Sequence, residues 1–238
     1  MLYRITQSGH LLVDSYVDCD DLIDFILAKG YPEEFCLSLD FSHEFIDRLM
    51  KSGFLVMSTD IGEGCDSQVI LMPKHHIMRT VLFFENLHIG KTVKRLLPKF
   101  ELKSDADFDM FDTIVDRCIR THGDDWLTVP LIDSIKNVRS DPQALTRPFS
   151  FALYNKSGNL AAGEFGIISG GVYTSYSGYY DESNAGRVQM ILTALYLKEH
   201  GFAFWDLGMP LDYKYSLGAH DIDTKEFIRI FRDAQNIN

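Results

Sequence analysis

The feature that most constrains the fold is a run of three strand-like segments separated by glycine-containing turns in the second half of the chain. Large apolar residues occupy alternate positions along the first segment, Phe149–Leu153, which is the two-residue period of a β-strand. Gly163–Ile168 and Val172–Ser177 are predicted to be the next two strands. The turn residues at 158–159 and 169–171 can join neighbouring antiparallel strands. The three segments therefore predict an antiparallel meander.

A helix and a further strand follow the meander. Asn184–His200 has apolar residues at helical spacing and is followed by a glycine, so it is predicted to be a helix. Phe202–Leu207 is predicted to be a buried strand. Asp223–Glu226 has the pattern of a capping box, which predicts the start of the last helix. Antiparallel strands combined with a strand–helix–strand unit give an α+β fold.

The first part of the chain is predicted to form a separate unit. Asp20–Lys29 and a segment beginning near Ser42 are predicted helices, and two strands are predicted within residues 54–72. The pattern changes near residue 80. We therefore expect a small α/β domain over residues 1–78 and a larger domain over residues 79–238.

Charge and hydrophobicity restrict the possible partners. The formal charge is -11, whereas a protein that binds nucleic acid along many phosphates carries a broad basic face. The strongest local concentration of basic residues is 91–103, which is typical of a solvated helix face, with a modest docking patch for an RNA end as the alternative. No apolar run approaches the roughly 20 residues that cross a bilayer. The start of the sequence lacks the pattern of a secretory signal, so we expect a cytoplasmic protein without a membrane partner.

Conventional catalytic and metal-binding motifs are missing from the sequence. Cys19, Cys36, Cys65 and Cys118 form no CxxC pair, so neither a disulfide framework nor a thiolate metal site is expected. The sequence has no nucleophile elbow, Walker loop or HExxH motif. Adjacent histidines such as His75 and His76 rarely face one metal. A glycine pair at residues 62 and 64 is not followed by a helix signal, so it is not expected to cradle a phosphate.

Three other features suggest a binding or catalytic site. Trp126 follows two aspartates in a turn and is either a lid over a planar ligand or a hydrophobic plug. Four tyrosines crowd 173–180, where they either pack or stack on a base. Asp206 ends an apolar run, and a buried carboxylate must be hydrogen-bonded or functional. Asn184 lies where a helix start could either receive an anion or simply be capped.

Several segments of the sequence carry a resemblance to a known family: Val81–Ile89, Trp126–Thr128, Asn184–Ala185, Gly201–Asp206 and Ser216–Ala219. In this order they resemble the leucyl/phenylalanyl-tRNA–protein transferase family. The resemblance extends from about residue 40 to the carboxyl end. Tyr179–Asp181 is also similar to arginyl-tRNA–protein transferases. The resemblance implies an acyltransferase fold of the GNAT type that moves an amino acid from the 3′ end of charged tRNA to the amino terminus of an acceptor protein, with no cofactor.

The resemblance also implies roles for individual residues. Asp206 matches the family's aspartate and is expected to orient the amine, so that Asp206→Asn abolishes transfer and spares folding. We expect it at the floor of the principal cleft, near Tyr176 and Gly208. Tyr176 stands where the family has a glutamate, and is predicted to be catalytic. Gly208 replaces the family's glutamine. Trp126 keeps one stacking surface for the terminal adenosine, whereas Met57 replaces the other.

The remaining predicted substrate-binding residues are Tyr173, Ser177, Asn184 and Glu164. Glu164 matches an apolar residue of the family's amino-acid pocket. If it points inward, a cationic amino acid such as arginine or lysine is the better substrate, because a buried carboxylate must be matched. In the alternative, Glu164 faces solvent and Phe165 faces the pocket.

Two other functions remain open from the sequence. One is an N-acetyltransferase that uses acetyl-coenzyme A, although the acidic pair Asp181–Glu182 disfavours a pyrophosphate at the helix start. The other is a non-catalytic binding protein that retains the fold.

Overall fold

The computed structural model describes residues 4–62, 67–105 and 108–237. Cys65 and part of the loop around Gly62 lie outside them. The described chain forms two compact units, each made of separate stretches of sequence. The first contains residues 1–77, 123–147 and 223–232, and the second contains residues 78–122, 148–222 and 233–238. The division into domains 1–78 and 79–238 stays a prediction.

The first unit combines helices with two small antiparallel sheets. Its helices are α1 (Cys19–Lys29), α2 (His43–Lys51), α5 (Val129–Ser140) and most of α8 (Thr224–Ala234). Its strands are β1 (Arg4–Ile5), β2 (Leu11–Leu12), β3 (Leu55–Ile61) and β4 (Gln68–Lys74).

Local signals set the helix ends of this unit. Asp18 caps α1 by accepting hydrogen bonds from two backbone N–H groups of the first turn. Asp223 accepts a hydrogen bond of 2.8 Å from Glu226 N, which is the contact that the capping pattern predicts. Buried Asp47 of α2 accepts three hydrogen bonds from Leu145 and Thr146 and so ties the 123–147 stretch to this unit.

The second unit is built on a seven-stranded sheet with the order β11-β5-β10-β9-β8-β7-β6. Its strands are β5 (Met78–Leu82), β6 (Phe100–Ser104), β7 (Arg147–Asn155), β8 (Leu160–Ser169), β9 (Val172–Tyr180), β10 (Phe204–Asp206) and β11 (His220–Asp223). Its helices are α3 (Lys91–Leu96), α4 (Phe108–His122), α6 (Ala185–Glu199) and α7 (Asp212–Tyr215). This is the mixed α+β architecture that the sequence predicted.

Helices cover both faces of this sheet. Most residues of β7 and β8 are buried, as expected of strands covered on both sides. On one face, Phe165 of β8 packs edge-on against Phe111 of α4. On the other, α6 contributes Ala194 and Leu197 to a core that includes Phe151 and Trp205.

The predicted meander and the elements after it are confirmed. The sequence did not predict β6 and β11, which are the two edge strands of the sheet. Edge strands are half exposed and rich in polar residues, so their hydrophobic pattern is weak. None of the helices that the structure describes is long and apolar enough to cross a bilayer.

Candidate active site

The sheet of the second unit opens where β9 and β10 part. These strands run parallel, with Asp206 opposite Thr174 as their last pair. Strand β10 ends there, whereas β9 continues to Tyr180. Ligands of α/β sheets commonly bind beyond the carboxyl ends of parallel strands. Polar side chains around this divergence are therefore candidates for a site.

A β-bulge redirects β9 at the same place. Phe165 is opposite Ser177 and Gly166 is opposite Ser175, which leaves Tyr176 as the extra residue. Gly166 is required here, because a Cβ atom would lie 2.1 Å from the carbonyl oxygen of Thr174. Bulges often re-aim a side chain beside an active site. Tyr176 is half-buried, with its ring 6.0 Å from that of Phe165.

Asp206 is completely buried and its carboxylate is held from several sides. Arg79 Nε donates to Oδ1 at 2.9 Å, and its Nη2 donates to Oδ2 at 2.8 Å. Thr174 Oγ1 donates to Oδ2 and Gly208 N donates to Oδ1, both at 2.9 Å. The Gly208 contact agrees with the sequence-based placement.

The exposure of Asp206 revises part of that expectation. With its side chain 0% exposed, the carboxylate lies within the protein, not on a surface that a substrate could touch. Removing its charge would also leave buried Arg79 uncompensated, so Asp206→Asn is not expected to spare folding.

Lys214 stabilises the loop that follows β10, and sequence analysis did not single it out. Its Nζ donates to the backbone oxygens of Leu207 at 2.5 Å and Met209 at 2.7 Å. Burial lowers the pKa of Lys214 to about 8, an effect that nearby Asp206 partly offsets. The only local signal is a lysine between two tyrosines.

Glu164 points into the protein on the α6 face of the sheet. Glu164 is only 5% exposed, so the alternative in which its side chain faces solvent is wrong. Ser175 Oγ donates to its Oε2 at 3.3 Å, and the same Oγ accepts a hydrogen bond of 2.8 Å from Trp205 Nε1. Burial raises the pKa of Glu164 to about 8, and Ser175, Gln189 and Thr193 offset part of the rise.

Phe165 has the opposite orientation from Glu164. It is buried against α4, as strand alternation requires of consecutive residues. The structure therefore contradicts the alternative, in which Glu164 faces solvent and Phe165 takes its place.

Metal ligands are not clustered in the part of the chain that the structure describes. It contains no group of three or more His, Cys, Asp or Glu side chains that could hold an ion. His75 and His76 are both buried, and His75 Nε2 lies 2.8 Å from the backbone oxygen of Glu33.

A family model described as leucyl/phenylalanyl-tRNA protein transferase matches residues 81–232 of the chain, which include β9, β10 and the bulge. The chain belongs to this family. Among relatives named leucyl/phenylalanyl-tRNA–protein transferase, that of Maridesulfovibrio salexigens is 28% identical over 161 residues, covering 66% of this chain and 65% of the relative. That of Rubrobacter xylanophilus is 25% identical over 162 residues, covering 67% of this chain and 81% of the relative.

The match to the first of these transferases spans less than two thirds of that relative's length. Solved structures similar to this chain include one titled FemX, at 11% identity and a TM-score of 0.47, covering 96% of this chain and 85% of that one. Another is the structure of L-PGS from Bacillus licheniformis, at 10% identity and a TM-score of 0.46, covering 98% of this chain and 88% of that one.

The structure brings some of the predicted site residues of this transferase-family chain together. Glu164 and buried Tyr173 lie on the α6 face, and the Trp205 ring is 6.3 Å from that of Tyr173. Asp206 is the last residue of β10, and Gly208 lies two residues beyond it. These four predicted residues therefore surround the end of one strand pair.

Other predicted residues lie elsewhere. Ser177 is on the α4 face, where burial raises the pKa of Cys118 to about 12 and the Ser177 hydroxyl offsets part of the rise. Asn184 is exposed just before α6 and donates to Ser183 Oγ at 3.1 Å. Trp126 belongs to the first unit, where its backbone oxygen accepts a hydrogen bond of 3.0 Å from Ser58 N. Its side chain is half-buried.

Five residues of the site were missed: Arg79, Ser175, Gln189, Thr193 and Lys214. The two on α6 are buried polar residues four positions apart, and Gln189 Nε2 donates to Thr193 Oγ1 at 2.9 Å. Two polar residues with this spacing on the core face of an apolar helix are a signal that could have identified them.

Proposed function

We propose that this chain transfers an amino acid from aminoacyl-tRNA to the amino-terminal amine of an acceptor protein. The observation that carries the proposal is the family match over residues 81–232, because it includes both strands that diverge at Asp206. We include in the proposal a GNAT-type fold for the second unit, supported by the parallel β9–β10 pair that opens beside a bulge. A cytoplasmic location follows from the use of tRNA.

The proposed reaction makes modest chemical demands. The acceptor amine attacks the ester carbonyl carbon, an amide bond forms, and the ester bond to the terminal ribose breaks. The proton lost by the amine passes to the ribose oxygen. An α-amino group has a pKa of about 7.7–8, so roughly a tenth of it is already neutral at pH 7. Catalysis then consists mainly of positioning the two groups and stabilising the oxyanion.

The residues near the point where β9 and β10 part are suited to positioning the reacting groups and stabilising the oxyanion. Tyr176 is half-buried at the bulge, and its phenol is proposed to donate a hydrogen bond to the developing oxyanion. Buried Asp206 is proposed to act through Arg79 and the Gly208 backbone as a positioning residue. Trp126 belongs to the first unit and stays a predicted stacking surface for the terminal adenosine, as the family resemblance implies. Ser177 and Asn184 stay predicted substrate contacts.

A transfer assay with the full chain tests the proposal. Purified protein is incubated with radiolabelled mixed aminoacyl-tRNA and an α-casein-type acceptor, and label in the acceptor is counted. We expect tRNA-dependent label that falls at least tenfold in kcat for Tyr176→Phe, with an unchanged thermal midpoint. Exposed Tyr180→Phe serves as the matched control.

The same assay distinguishes the other functions. Label from acetyl-coenzyme A but not from aminoacyl-tRNA would identify an N-acetyltransferase. Binding of aminoacyl-tRNA without transfer would identify a non-catalytic binding protein. Either result would refute the proposed transfer.

A further inference from the structure

We propose that a buried polar cluster on the α6 face receives the side chain of the transferred amino acid, and that it selects a cationic side chain. The Glu164 cluster consists of Glu164, Tyr173, Ser175, Gln189 and Thr193. The inference rests on the proposed function, since it names the donor class for the same site.

The first argument is an unused hydrogen-bond acceptor. Trp205 Nε1–H can only donate, so Ser175 Oγ accepts from it and directs its own proton to Glu164 Oε2. Glu164 Oε1 is buried and makes no hydrogen bond of normal length to a described residue, although Gln189 and Thr193 lie close enough to lower the pKa of the carboxyl; Tyr173 Oη likewise makes none. Buried polar atoms are nearly always hydrogen-bonded, and exceptions call for an explanation such as a missing ligand.

The second argument is charge. No Lys, Arg or His of the described chain forms an ion pair with Glu164, although buried acidic side chains are normally paired. Burial keeps this unpaired carboxyl largely protonated near pH 7. A guanidinium or ammonium group would supply hydrogen-bond donors and favour the ionised carboxylate. Charge-assisted hydrogen bonds of this kind are about twice as strong as neutral ones.

The third argument is position. Ser175 directly precedes the bulged Tyr176, and Trp205, which donates to Ser175 Oγ, directly precedes Asp206, so the backbone connects the cluster to both proposed site residues. Partial burial raises the pKa of Tyr213, which is 51% exposed, and the charge of Glu164 adds to the rise. Glu164 is therefore within electrostatic reach of the surface loop after β10. A donor side chain entering beside that loop would meet the carboxyl group.

The titratable groups facing Glu164 come from several elements. They are Tyr173 on β9, Cys118 on α4 and Tyr213 on α7; burial raises the pKa of each, and the charge of Glu164 adds to the rise. None of them is a cation at neutral pH. Without a ligand, burial keeps the pKa of Glu164 near 8, so most of the carboxyl is protonated at pH 7. A bound cation would favour the ionised form of the Glu164 carboxyl, so that binding would release the carboxyl proton.

Donor competition tests the selectivity. Arg-, Lys-, Gln-, Leu- and Phe-tRNA are compared with one acceptor and the full chain. We expect kcat/KM for Arg- or Lys-tRNA to exceed that for Leu-tRNA by about 100-fold, because a site built around polar groups rejects an apolar analogue strongly. Glu164→Gln should remove this preference and Glu164→Met should move it toward Leu and Phe. Glu101→Gln, at an exposed position on β6, should leave it unchanged. A wild-type preference for Leu, Phe or Gln would overturn the inference.

A binding experiment separates this inference from the proposed function. The probes are non-hydrolysable adenosines carrying arginine or leucine on a 3′-amino group, titrated by calorimetry at pH 7 in two buffers. We expect the arginyl probe to bind with release of protons, because burial raises the pKa of the free carboxyl and a bound cation would lower it. Glu164→Gln should weaken binding at least tenfold and abolish the release.

The combined results are distinguishable. Arginyl-probe binding with this proton release, but no transfer from any tRNA, supports the cluster and refutes the transferase proposal. Transfer with equal binding of both probes, or with binding unaffected by Glu164→Gln, refutes the cluster alone. Dependence of the rate on arginine at the acceptor terminus, with all donors equivalent, also refutes it.

Discussion

The buried carboxyl of Glu164 makes the stability of the protein depend on pH in a way that one substitution should remove. Its pKa is about 8 in the folded chain against an ordinary value of 4.5. Below pH 4.5 the carboxyl is protonated in both states and carries no ionisation cost. As pH rises toward 8, the unfolded state loses this proton first, so stability falls. The loss is about 1.4 kcal/mol per pH unit, about 3 kcal/mol at pH 7 and about 5 kcal/mol above pH 8.

Glu164→Gln keeps the size of the side chain and removes its titration. The free energy of unfolding of wild type and variant would be measured by denaturant titration from pH 5 to pH 8.5, followed by tryptophan fluorescence. A constant offset between them reports local packing, whereas the pH-dependent part of the difference reports the carboxyl. We expect the variant to gain relative stability with rising pH and to level off above pH 8. Curves that remain parallel from pH 5 to 8.5, as expected for the surface control Glu101→Gln, would refute the reasoning.

Three other predictions concern burial and packing. Asp206→Asn should lower the free energy of unfolding by about 3–5 kcal/mol, because it leaves Arg79 buried without its counter-charge; a loss below 1 kcal/mol would contradict this. Gly166→Ala should cost about 3 kcal/mol or more, since its methyl group would meet a backbone oxygen, whereas Gly90→Ala meets nothing within 4 Å and should melt within a few degrees of wild type. The three described cysteines are buried with pKa values raised to about 12, so a thiol reagent should label them only after unfolding, as peptide mapping would show.

The sequence predicts those parts of the fold that depend on local pattern. The three strands of the meander have a two-residue period and glycine turns, and α1 and α8 have their caps encoded within a few residues. Edge strands β6 and β11 were missed because solvent on one side weakens their hydrophobic signal. The long-range return of residues 123–147 to the first unit depends on contacts such as Asp47 with Thr146, which no local pattern contains.

The candidate site also has features that the sequence predicts and features that it does not. Asp206 could be singled out because an acid that ends an apolar strand requires a partner. The partner could not be identified, since Arg79 lies 127 positions away in sequence. The bulge at Tyr176 depends on the register of β8 against β9, which the residues of either strand do not specify alone. The sequence alone leaves Glu164 pointing either inward or to solvent, and the register of β8 determines that it points inward.

The most direct test of the proposed function is intact-mass analysis of an acceptor peptide. A peptide with a free amino terminus and the same peptide with an acetylated terminus are incubated with the full chain and mixed aminoacyl-tRNA. We predict that the free peptide gains the mass of one amino-acid residue, that fragmentation places it at the amino terminus, and that the acetylated peptide is unchanged. No added residue on the free peptide after aminoacyl-tRNA is supplied in excess, or equal addition to both peptides, would contradict the proposed transfer.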